Sequence, residues 1–134
     1  MLRTALAALV FTVCALNAAV ASNCQVPRHG TVTLFGGVDD PDVLVWDSQD
    51  RLVRYSGGSS DAREFLLPHA LLNRPGTKAR VVACRMNAVR PKFSGNLNDA
   101  IGVLIVSGKY RGRYGWVSSG DVHGAGITQT RDQW

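Results

Sequence analysis

From Thr31 to Val122 the chain is a series of short apolar runs broken by Gly, Pro, Asn and Asp clusters. Alternation of apolar and polar residues over a few positions marks strands with one buried face. Residues 31–35 form a first predicted strand, closed by Gly36-Gly37. Asp39-Asp40-Pro41-Asp42 is a turn, since Asx side chains and proline both favour one. Residues 43–47 and 51–55 read as a hairpin across Ser48-Gln49-Asp50. After the loop Gly57-Gly58-Ser59-Ser60, Asp61 is placed to cap one helical turn through Glu64. The apolar segments 65–67 and 70–72 then cover the open side of a barrel. Beyond the turn Arg74-Pro75-Gly76-Thr77, residues 78–85 form the strongest central strand, with Ala79, Val81 and Ala83 on one face. A long connection, 86–100, separates it from a strand at 101–107. Residues 108–112 are the hairpin turn into a last strand at 114–117. The pattern predicts a mainly β fold, a small barrel with additional N-terminal strands.

The first residues carry a different pattern. Arg3 precedes an apolar run, 6–16, that is too short to span a bilayer, and Ala19-Val20-Ala21 follows as a small-x-small site. Residues 1–21 therefore read as a signal peptide, with the mature chain starting at Ser22. Residues 22–124 make one domain and 125–134 a polar tail. The expected location is periplasmic or secreted, with no stable membrane insertion. Of the three cysteines, Cys14 goes with the signal, leaving Cys24 and Cys84. An even pair in an oxidising compartment reads as a disulfide. The alternative, two free thiols used in chemistry or metal binding, is disfavoured because neither has a His or second Cys nearby in sequence.

Charge is unevenly spread. The whole chain has a formal net charge of +5. Seven acids and three arginines lie between Asp39 and Glu64, whereas nine basic residues and one acid, Asp99, lie between Arg74 and Arg113. Such a basic stretch attracts anionic partners over a distance set by salt, or simply keeps the surface solvated.

Residues 75–122 carry a resemblance. Gly76-Thr77-Lys78 leads into an alternating strand, and Gly115-Trp116-Val117-Ser118-Ser119 is followed by Val122. This order resembles the bacterial SH3-like barrel family (SH3b type), in the C-terminal part of the chain. The resemblance implies a 3₁₀ turn after the last strand, close strand packing at Gly115, and a Trp116 that fills or covers one barrel end. It also implies a binding role in the cell envelope, with a cell-wall peptide or envelope protein as partner.

Candidate ligand-binding residues follow from charge and aromatic interleaving. Lys109, Tyr110, Arg111 and Arg113, with Tyr114, combine cations that hold carboxylates or phosphates with rings that stack on planar groups. Arg90 and Lys92 lie in the long connection, the other place where function concentrates. A groove between residues 86–100 and 108–112 is the expected site. No Gly-x-Ser-x-Gly elbow, phosphate-binding loop or His-Glu-x-x-His helix occurs. The isolated His29, His69 and His123 and the acids at 39–47 lack metal-ligand spacing. The reading is thus a binding module, not an enzyme, with no catalytic residues, cofactor or metal. Two other readings stay open: a binder of an anionic polymer (nucleic acid or acidic glycan), and an inhibitor or immunity-type partner of a secreted enzyme.

Overall fold

Seven antiparallel strands curl into a half-barrel in the computed structural model, which describes residues 24, 26–58, 63–91 and 95–124. The strands are β1 (Thr31–Leu34), β2 (Val43–Trp46), β3 (Ala70–Asn73), β4 (Lys78–Val89), β5 (Asn98–Ile105), β6 (Tyr114–Ser118) and β7 (Val122–His123). Two short helices, α1 (Gln49–Ser56) and α2 (Arg63–Leu66), lie between β2 and β3. Sheet order is β3-β2-β6-β5-β4-β1-β7. The expected mainly β class holds. The signal-peptide residues 1–21, Ser22, Lys92 and the tail 125–134 lie outside the described residues.

Alternation gives the sheet two apolar faces. On the inner face Leu34, Val43, Val45, Val81, Ile101, Val103, Ile105, Val117 and Val122 form the main core. On the outer face Trp46, Val89 and Ala100 pack with Leu52 of α1 and Leu66 of α2. The helices thus act as a lid over one half of the outer face.

Here the structure corrects the expected hairpin at 43–55. Its second arm is α1. The Ser48 side chain accepts a hydrogen bond from the Arg51 N–H at 3.2 Å, an N-cap that satisfies an otherwise orphaned donor. Asp47–Arg51 and Asp50–Arg54 are i,i+4 ion pairs on the exposed side. Imperfect alternation at 51–55 reflects a helical stripe in which Leu52 is buried. Residues 70–72, expected as barrel cover, belong to β3, an edge strand paired with β2.

The long connection is also corrected. Met86 to Val89 complete β4, and Asn98 to Ala100 open β5, so the two strands form one long hairpin. Two irregularities shape it. Val82 is an extra residue between Val81 and Ala83 in the β4–β5 register. It turns Ala83 to the outer face opposite Gly102, and Cys84 to the core face opposite Ile101. Farther along, Asn87 adopts φ 53°, and its N–H donates to the buried Asp99 carboxylate at 2.9 Å. The Asp99 N–H in turn donates to Ser119 Oγ at 2.9 Å, tying the second bulge to the 3₁₀ turn Ser119–Asp121.

Cys24 and Cys84 are joined as a disulfide, 60 residues apart in sequence, with Cα atoms 6.3 Å apart. The pairing fits an oxidising, non-cytoplasmic compartment. Among the described residues, no helix is long and apolar enough to cross a membrane.

Gly115 is needed for close packing of β6 on β2. A Cβ there would lie 2.7 Å from the Trp46 carbonyl oxygen and would collide with Val45. Trp116 is only half-buried, on the outer face opposite Trp46, and does not fill the barrel interior. Val117 takes the core position.

Candidate functional site

The β5–β6 connection is a closed, ordered turn. Gly108 and Gly112 have φ of 80° and 90°, which other residues adopt only with strain. Arg111 N–H donates to Gly108 O, Gly112 N–H to Ile105 O and Arg113 N–H to Tyr110 O. Tyr110 is half-buried against the main core and anchors the turn. The Lys109 ammonium lies 5.3 Å from the Tyr110 ring centroid. Lys109, Arg111 and Arg113 are exposed, and none forms an ion pair among the described residues. The cations are therefore held on a closed backbone, with no acid paired to them among the described residues.

The expected single groove is not formed. Arg90 follows Val89, which pairs with Asn98 at the start of β5. The hairpin leaves from Ile105 at the other end of that strand. Seven strand steps, roughly 20 Å, separate the two. Arg90 is exposed but apart from Lys109, Tyr110, Arg111 and Arg113, and Lys92 is outside the described residues.

What the hairpin does adjoin is the uncovered half of the outer face. Cross-strand register places Tyr114, Leu104, Arg80 and Thr31 side by side on β6, β5, β4 and β1. Lys78 shares that face two residues from Arg80, and Trp116 two residues from Tyr114. Tyr114 is 66% exposed. Sequence reading took Lys78 and Arg80 only as strand residues. Their exposure was legible in the alternation, but their alignment with Tyr114 depends on β4–β5–β6 register.

A groove of about 770 Å³ lies elsewhere, along the disulfide, with Arg28 and Arg85 among its lining. The two cysteine sulfurs and the Asp99 carboxylate lie within 4.8 Å of one another. The sulfurs are bonded to each other, so they offer no thiolate to a metal.

Ionisable groups off this face are perturbed for structural reasons. Partial desolvation pushes the Asp47 carboxyl upward, but hydrogen bonds from Arg51 and His69 outweigh it and hold the group below its ordinary value. Burial, and then the nearby charge of Asp40, push Asp121 up to about 6. Its unfolded value is near 3.8, so between these values the native state binds more protons. Stability from this group is fully present below about pH 4 and is lost as pH rises through about 6. Asp121→Asn is expected to raise the thermal midpoint at pH 7 and leave it nearly unchanged at pH 4. The gain is on the order of 2–3 kcal/mol. Melting curves from pH 4 to 8 check this; an unaltered pH profile in the variant would rule it out.

The chain matches no protein-family model, no curated protein and no solved structure.

Proposed function

We propose that this protein is an exported, SH3-like binding module of the bacterial cell envelope. It captures a cell-wall peptide or an envelope protein segment through the basic β5–β6 hairpin. The observation that carries the reading is the preorganised turn: Lys109, Arg111 and Arg113 are exposed, form no ion pair among the described residues, and are mounted on a backbone closed by its own hydrogen bonds. A closed loop loses little backbone entropy on binding, and guanidinium groups match carboxylates with two parallel hydrogen bonds. The role is binding without catalysis. Further support comes from the Tyr114–Ser118 strand, the 3₁₀ turn behind it and the resumption of pairing at Val122, the order that the SH3-like resemblance implies.

Arg111→Ala with Arg113→Ala is expected to weaken capture of the envelope partner at least tenfold with the fold intact, because neither side chain is packed. Pulldown from envelope extract, paired with circular dichroism, measures both. Native spectra with undiminished capture would remove the hairpin from the site.

A further inference from the structure

The helices α1 and α2 cover only the Trp46–Ala100 half of the outer sheet face. The other half carries a row that no described element packs over, Arg80 on β4, Leu104 on β5 and Tyr114 on β6, with Lys78 beside Arg80; Trp116, half-buried against the lid cluster, borders it beside Tyr114. We infer that this open face is a second binding surface, separate from the hairpin tip, and that it takes an acidic polysaccharide.

Three features select that chemistry. The floor is flat. Gly102, opposite Trp116, is buried and has no side chain, and a Cβ there would come within 3.5 Å of the indole. The indole therefore lies low over β5 instead of standing away from it. Next, the floor mixes ring and aliphatic surface, since Leu104 is the direct cross-strand neighbour of Tyr114. The C–H face of a pyranose packs on such a surface, and Tyr is well suited to a contact that is apolar on one side and wet on the other. Tyr114 and the half of Trp116 left exposed at the edge of the lid lie about 7 Å apart along one strand, enough for successive contacts on a chain.

Finally, the border is cationic. Lys78 and Arg80 flank the floor on β4, about 10 Å from the aromatic strand. Neither forms an ion pair among the described residues; Lys78 Nζ donates only to Thr33 Oγ1. Asp47 and Asp50, beside and within α1, are instead engaged with Arg51, Arg54 and His69. Charge complementarity thus calls for an anionic ligand with apolar ring faces. The disulfide points to an oxidising compartment, where acidic glycans are at hand and nucleic acid is not the expected ligand.

The test uses the protein with its disulfide intact on immobilised polyuronate. Retention at low salt and elution as salt rises are expected, with no retention on a neutral glucan. Lys78→Gln with Arg80→Gln should lower affinity at least tenfold. Arg54→Gln with Arg63→Gln removes the same charge from the helical lid and should change it less than twofold. Tyr114→Ala should lower affinity about fivefold with the salt dependence unchanged, and Tyr114→Phe should restore it. Thermal midpoints identify any variant that fails to fold, and Arg80→Met, which removes the charge but keeps an apolar stem, and Tyr114→Leu then replace it. Equal losses from the two double variants would reduce the interaction to net charge and overturn the proposal. So would absence of retention, or tighter binding of a single-stranded oligonucleotide than of polyuronate. Arg111→Ala should leave polyuronate binding within twofold, so failure at this face and failure of the hairpin reading are told apart.

Discussion

Trp46→Ala is expected to destabilise the domain by roughly 3–5 kcal/mol, enough to unfold most of a small protein. Trp46 is 1% exposed and is among the largest fully buried side chains. It lies between the sheet and the lid, its ring centroid 4.7 Å from that of Tyr55 on α1, in a cluster with Leu52, Leu66, Val89 and Ala100. Its removal leaves a cavity that joins both helices to β2, β4 and β5. Trp116→Ala should cost clearly less, because that indole is half-exposed. The ranking reverses what the Gly-Trp-Val motif implies, in which Trp116 is the residue that holds the barrel. Denaturant unfolding of the two variants decides between them, and a smaller loss for Trp46→Ala than for Trp116→Ala would show that the lid is dispensable.

Reduction, or Cys24→Ser with Cys84→Ser, is expected to cost about 4 kcal/mol, the chain-entropy value for a closed loop of this length. The effect is large because the bridge holds the N-terminal segment, where Val26 is 2% exposed in the main core, against β4. Unfolding curves with and without reductant measure it. Alkylation of the native, unreduced protein gives an independent check: two reactive thiols would mean that the bond is absent. The N-terminal segment also hydrogen-bonds to β4, with His29 N–H donating to Val81 O at 2.9 Å. Loss of the bridge is therefore expected to loosen that edge before the β4–β5–β6 centre.

Elements with strict local alternation were legible in the chain. Residues 31–34, 78–81, 101–105 and 114–117 are strands in the places where period two is clear and the neighbouring turn residues are Gly, Pro or Asp. The 108–112 turn was legible too, since only glycine readily supplies the positive φ found at Gly108 and Gly112. The Cys24–Cys84 pair followed from counting. The expected strand at 51–55 is a helix because Val53 and Tyr55 suit one face of a strand while Leu52 and Tyr55 suit one face of a helix, and so few residues hold too few repeats to separate the periods. The capping Ser48 was the signal that distinguishes them.

The candidate surface was legible only as a set of residues. Composition marked Lys109, Tyr110, Arg111, Arg113 and Arg90 as cations and rings outside the core, and local turn chemistry placed the first four together. Whether Arg90 joins them depends on how far β4 and β5 extend, and that extension rests on contacts between residues distant in sequence. Asp99 accepts from Asn87 twelve residues away and its N–H reaches Ser119 twenty residues on. No local periodicity reports such bonds.

The sequence by itself therefore determined the strand class, the turn positions, the cysteine pair and the uneven charge, because each depends on a residue's own conformational preference or polarity. Only the tertiary structure decided which face each residue takes beyond a bulge. The extra residue Val82 turns Cys84 inward and Ala83 outward, against the simple alternation. It also decided that Trp46 is fully buried beneath the lid while Trp116 is only half-buried at its edge, and that Arg80, Leu104 and Tyr114 form one row. Register is a property of strand pairs, and a shift of one residue reverses every side chain, so such choices are made by packing across the sheet and not by any single segment.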